Sequence, residues 1–184
     1  MLTLFHDYTS PASAVAAFRV QRLADEGLAV RFEGFEAVGV DATLTVTAGV
    51  LAAVDELAAA ARAEKLSLLP PAALPPTALA HLLGELAAQR GLGASWRQTC
   101  YRAYWERGLD IGNRHVLVGL AGLAGMDEGE TRALLADAGR LSALRRRMAG
   151  FRRDGVGGVP MILAQGTLVP GLLPEDDLRL LAEL

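Results

Sequence analysis

Strand-forming segments occur only near the two ends of this 184-residue chain, and a long stretch of purely helical patterning separates them. Any sheet must therefore pair segments far apart in sequence, with the helical stretch leaving the sheet and returning to it. Met1 to Phe5 reads as a short buried strand. Ser10 stands at an N-cap position, and Pro11 falls in a first helical turn, where its missing N–H costs nothing. Val15, Phe18, Val20 and Leu23 give that helix an apolar face up to Gly27. Leu28 to Phe35 alternates apolar with small or charged residues and reads as a second strand. The helix between them makes the two strands a parallel pair.

From about Ala48 to Ala138 the patterns are helical. Val50 to Leu66 is Ala-rich and amphipathic. Pro70-Pro71 and Pro75-Pro76 bracket a loop, the most flexible stretch expected, and Thr77 starts a helix ending near Gly91. Ser95 is the expected cap of the next helix, through Trp105 to Gly108, and Asn113 to Met126 forms another. Asp127 with Glu130 three residues on predicts a capping box. Gly139 to Arg153 is a further helix. Met161 to Ala164 and Leu168-Val169 flank Gln165-Gly166, a hairpin signal. Pro174 to Leu184 closes the chain as a helix, with Glu175, Asp176 and Asp177 at the positive end of its dipole.

Charge and cysteine content exclude several functions. The net charge of -3 gives no basic face for phosphate neutralisation, so nucleic acid is not an expected partner. Apolar runs such as Val116 to Met126 are too short to span a bilayer, so no membrane is expected either. The N-terminus has no basic region, and His6 and Asp7 interrupt its apolar stretch. No secretory leader is expected, and the expected compartment is the cytoplasm. The single cysteine, Cys100, excludes an internal disulfide, a dithiol redox couple and a cysteine zinc site. His81 and His115 have no metal-ligand spacing.

Two short motifs carry chemistry. Ser10-Pro11-Ala12-Ser13 puts hydroxyls at a helix N-terminus, where free N–H groups and the helix dipole stabilise an anion such as a thiolate. A plain helix cap is the simpler reading of the same residues. Gly158-Val159-Pro160 runs into the strand Met161-Ile162-Leu163, and an X-Pro bond before a strand is a candidate cis bond. An ordinary trans proline opening an edge strand is the alternative. A third segment, Tyr101-Arg102-Ala103-Tyr104-Trp105-Glu106-Arg107-Gly108-Leu109-Asp110-Ile111, is followed by Arg114-His115-Val116-Leu117 and Leu123-Ala124-Gly125-Met126.

Together these segments resemble the DsbA-like branch of the thioredoxin superfamily, and within it the FrnE-like, 2-hydroxychromene-2-carboxylate isomerase-like and kappa-class glutathione transferase proteins. The resemblance runs from about Phe5 to Leu181 and is thin between Val38 and Leu74. With the element order it implies an α/β, thioredoxin-like fold carrying an inserted all-helical domain. Residues 1–47 and 139–184 would form the discontinuous thioredoxin-like domain, and 48–138 the insertion. Both cysteines of the family's C-x-x-C motif are serine here, Ser10 and Ser13.

That resemblance implies an enzyme: a thiol-dependent isomerase or transferase acting on a small organic substrate between the two domains. Ser10 would hydrogen-bond the sulfur of glutathione or another low-molecular-weight thiol, and Val159 would pair with its peptide backbone. Pro11, Ser13, Pro160, Asp176 and Asp177 complete the candidate binding residues, and a homodimer is the candidate assembly. Ala12 replaces the aromatic residue usual inside the motif. The Glu175-Asp176-Asp177 cluster follows Gly171 with a spacing unlike the Gly-x-Asp-Arg of the isomerases. Two alternatives stand beside this reading: a redox-inactive module that binds a peptide strand at Val159, or a relative of the DsbA oxidoreductases in ancestry only.

Other residues carry weaker signals. His6 beside Asp7 invites a Ser-His-Asp reading with Ser10, but order and spacing match no hydrolase elbow, and a packing role beneath the site is expected. Cys100 lies on an aromatic helix face and reads as a small buried hydrophobe. Arg145, Arg146, Arg147, Arg152 and Arg153 read as a solvated helix face, with an anion-binding role as the alternative.

Overall fold

The computed structural model describes residues 1–183. β1 (Leu2–His6), α1 (Pro11–Asp25) and β2 (Val30–Gly34) form the β-α-β unit. β1 and β2 are parallel, in a register that sets Leu2 opposite Val30 and His6 opposite Gly34. The helices α2 (Ala48–Ala63), α3 (Ala78–Gln89), α4 (Gly93–Trp105), α5 (Arg114–Leu123), α6 (Glu128–Ala136) and α7 (Ala138–Arg153) follow. β3 (Met161–Ala164) and β4 (Thr167–Pro170) then return to the sheet, and α8 (Glu175–Glu183) follows them. Leu184, the expected end of that last helix, lies outside the described residues.

The strand order is β2-β1-β3-β4, with β3 antiparallel to both neighbours. The β3–β4 turn places Gln165 at φ 48 and Gly166 at φ 78, the left-handed pair that matches strand twist in a two-residue hairpin. β1 is buried along most of its length because it is central and covered by α1. One apolar cluster runs from Leu2, Leu4 and Val15 through Trp96, Tyr101 and Leu117, so sheet and helical insertion share a core.

Two local expectations are corrected. Leu92, not Ser95, occupies the N-cap of α4, and the Ser95 hydroxyl instead donates to the Ala124 carbonyl at 3.1 Å. Asp127 caps α6 by accepting the Glu130 N–H at 2.8 Å, but the Glu130 carboxylate bonds Arg90 rather than reaching back. The proline loop is tied down at several points. Leu69 donates its N–H to the Trp105 carbonyl, Leu44 and Leu74 form a β-bridge, and the Tyr104 hydroxyl donates to the Ala73 carbonyl.

Candidate functional site

The chain leaves β1 at His6 and turns tightly, with the Ser10 N–H donating to the Asp7 carbonyl at 3.2 Å. This turn sets Ser10 as the N-cap of α1, with an extended backbone at φ -91 and ψ 119. Its Oγ accepts the Ser13 N–H at 3.1 Å. Pro11 is buried in the first turn, and Ala12 is partly covered beside it. Ser13 is fully buried, and its hydroxyl has no partner. A buried hydroxyl without a bond is a cost that a bound group could remove.

Val159 and Pro160 stand at the same end of the sheet. Met161 pairs with Phe5, so Pro160 adjoins the C-terminal end of β1, from which the chain turns to Ser10. The Val159–Pro160 peptide bond is cis, and the Pro160 carbonyl accepts the Gly171 N–H at 2.9 Å. Val159 packs on the small apolar cluster of Phe5, Phe35, Val156 and Met161. Asp176 and Asp177 are exposed on the first turn of α8. Their neighbour Glu175 pairs with Arg22 at 2.8 Å and with Arg179 at 2.7 Å. Arg22 lies twelve residues beyond Ser10 on α1, about 18 Å along the helix axis. The structure therefore brings Ser10, Ser13 and the Val159–Pro160 loop to one end of the sheet and leaves the acidic pair elsewhere.

Beneath this end lies a buried polar cluster that sequence reasoning left in fragments. Nδ1 of His6 and the Tyr101 hydroxyl are 2.9 Å apart, and that hydroxyl donates to the Asp7 carbonyl at 3.3 Å. One Asp7 oxygen lies 3.3 Å from His81 Nε2, and the other accepts the Ala37 N–H at 2.8 Å. His81 stacks on Tyr8, and the Trp105 indole donates to the Tyr8 carbonyl. Burial alone would push the Asp7 carboxyl up, but its bonds with His81 and Ala37 outweigh it and hold the carboxyl below its ordinary value. Burial pushes His6 well below the usual imidazole value, with His81 and Arg97 adding to the effect. His6 is therefore neutral near pH 7.

These bonds leave no Ser-His-Asp relay. Asp7 orients His81, His6 meets Tyr101, and the Ser10 hydroxyl meets the Ser13 N–H. Cys100 is fully buried, and burial pushes its thiol well above the usual value. The arginine run is largely engaged: Arg145 bonds Asp41, Arg147 bonds Glu85, and Arg152 bonds the Glu36 carbonyl. A cavity of about 610 Å³ opens between the outer side of β2 and helices α3 and α4. His6, Tyr8 and Arg97 are among its walls, while neither Ser10 nor Pro160 lines it. No helix among the described residues is long and apolar enough to cross a membrane.

A β-α-β unit continued by an antiparallel hairpin, with a helical insertion after the second strand and a helix-capping serine at the same end of the sheet as a cis Val-Pro bond, defines a thioredoxin-fold protein. Residues 1–182 match the family described as DSBA-like thioredoxin domain, and the chain belongs to that family. It is similar in structure to a probable DsbA oxidoreductase from Streptomyces coelicolor, at 26% identity and a TM-score of 0.81, covering 99% of this chain and 88% of that one. A 2-hydroxychromene-2-carboxylate isomerase superposes with a TM-score of 0.79 at 18% identity, covering 99% of this chain and 92% of that one. The cytosolic disulfide reductase DsbM from Pseudomonas aeruginosa, solved with GSH, does so with a TM-score of 0.68 at 20% identity, covering 99% and 96%. The last two show the shared fold. No curated protein sequence matches the chain.

Proposed function

We propose that this protein is a thiol-dependent isomerase or transferase of the DSBA-like family, acting on a small organic substrate with glutathione or a similar low-molecular-weight thiol. The observation that carries this reading is the serine pair on α1. Ser10 caps the helix, and the Ser13 hydroxyl is buried beside it without a partner. Because the Ser10 oxygen accepts from the helix, its own proton is free for donation to a sulfur. A thiol held there would supply a nucleophilic sulfur. Ser10 would donate to that sulfur, the start of α1 would favour its negative charge, and Val159 would present its backbone to a peptide-like thiol. The family contains both disulfide and isomerase chemistry among its structural neighbours, one of them solved with GSH. A dithiol exchange is not open to this chain, whose one thiol is buried. The proposal sets the protein in the cytoplasm, where small thiols stay reduced.

A second reading, a redox-inactive module that binds a peptide strand at Val159, is favoured by one observation. Neither Ser10 nor Pro160 lines the cavity beside β2, so a ligand at this end of the sheet would bind on a more open surface. Thermal unfolding with GSH, cysteine and other small thiols separates the two readings. A thiol at about 100 times its Kd stabilises by about 2.7 kcal/mol, and at the same thiol concentration that shift should fall by about half or more in Ser10→Ala. No shift with any thiol, together with binding of an extended peptide, favours the module.

A further inference from the structure

The cavity beside β2 has charges that do not balance. Three arginines and two glutamates line it. Arg31 pairs with Glu33 at 2.5 Å, and Arg147 pairs with Glu85. Arg97 bonds no carboxylate directly among the described residues; the Asp25 carboxylate, which accepts from the Gln21 amide at 2.8 Å, acts on it only at a distance. Arg97 donates to the Gln21 side-chain oxygen at 2.5 Å, its Nε is buried with no partner, and its guanidinium lies 3.5 Å over the Phe32 ring. Burial makes its charge costly. The cavity thus holds one positive charge with no carboxylate bonded to it, in a largely desolvated wall.

His6 adds a polar group of the opposite kind. The Tyr101 hydroxyl has a single proton and donates it to the Asp7 carbonyl. The bond between Tyr101 and His6 then needs the proton on His6 Nδ1. In a neutral ring this makes Nε2 an acceptor, and it has no partner within the described residues. The His6 ring lies 6.2 Å from that of Phe32, the ring Arg97 covers, so one small molecule can reach both groups.

We infer that the cavity along β2 binds a small organic monocarboxylate bearing a hydroxyl or amino group, the carboxylate on Arg97 and the donor on Nε2 of His6. A monoanion matches the single unpaired charge, whereas a dianionic phosphate would leave one negative charge unpaired in the same wall. Phe32 and Tyr8 provide apolar surface for the rest of the molecule. This site does not depend on Ser10 holding a thiol.

The test uses the full chain without thiol and three probes: mandelate, phenylacetate, which lacks the hydroxyl, and benzyl alcohol, which lacks the carboxylate. Calorimetric titration should give mandelate the tightest binding, phenylacetate several-fold weaker and benzyl alcohol weakest. Arg97→Met should lower mandelate affinity at least tenfold without lowering the thermal midpoint, because an unpaired buried charge is removed. Mandelate binding no tighter than benzyl alcohol in the wild type would overturn the site, whatever the variant does. Full mandelate affinity in Arg97→Met would overturn it as well.

Discussion

The Oγ of Ser10 accepts the backbone N–H of Ser13 at 3.1 Å, joining the first and last residues of the Ser10-Pro11-Ala12-Ser13 segment. The bond satisfies one of the free donors at the start of α1 and orients the Ser10 oxygen along the helix. A residue that only caps a helix and a residue that also binds sulfur differ in what their loss removes: stability alone, or stability and thiol affinity together.

The protein should show no disulfide oxidase or reductase activity. Its single thiol, Cys100, is buried, and burial holds it protonated. The native protein should react with a thiol-specific chromogenic disulfide only as fast as it unfolds, and insulin reduction should stay at background. Insulin turnover abolished by Cys100→Ala would contradict this.

Gly34→Ala should destabilise by roughly 1–3 kcal/mol, the range for overpacking a tight contact. An added Cβ would collide with the His81 ring. That ring cannot move freely, since it is stacked on Tyr8 and bonded to Asp7. Urea unfolding of the variant measures the loss; an unchanged midpoint would mean that His81 is not held as described.

Acid should destabilise the protein in two stages. The pKa of His6 is depressed on folding, so the unfolded chain takes up a proton that the native state refuses. Its contribution is complete above about 6.5 and is lost as pH falls below that. Asp7 is also depressed, so its contribution is present above about 3.8 and is lost at lower pH. Denaturant unfolding between about pH 8 and about pH 5 should show stability falling by up to about 1.4 kcal/mol per pH unit. His6→Gln, though less stable at its best pH, should flatten that slope. An unchanged slope in the variant would assign the effect to another group.

The elements were legible wherever the information was local. Leu2, Leu4 and Phe5 announce a buried strand, Ser10-Pro11 a helix start, and Gln165-Gly166 a hairpin, because each depends on residues a few positions apart. Ser95 misled because a serine three residues from a helix start looks like a cap, while its hydroxyl found a carbonyl on another helix. The Asp7–His81 contact spans 74 positions and the His6–Tyr101 contact 95, so neither leaves a periodic signal. His6 and Asp7 stand out in the sequence only as neighbours of Ser10, His81 only as a histidine without metal-ligand spacing, and Tyr101 only as part of an aromatic segment. Arg97 was invisible for a related reason: an arginine on a helix reads as solvated until the fold carries it over Phe32. Asp176 and Asp177 had the reverse fate, standing out in sequence while lying on the exposed turn of α8.

The central claim is that Ser10 holds a thiol sulfur at the start of α1. Loss of an N-cap costs about 1 kcal/mol of stability. Loss of a hydrogen bond to a charged sulfur costs roughly 1.5–3 kcal/mol of binding, or about 10- to 100-fold in affinity. The most direct measurement follows the ultraviolet absorbance of the GSH thiolate against pH, with protein in excess. The account predicts a thiol pKa below the free value of about 8.5 with the wild type, and a return towards that value with Ser10→Ala. An unshifted pKa with the wild type, or a shift that Ser10→Ala leaves intact, would contradict it.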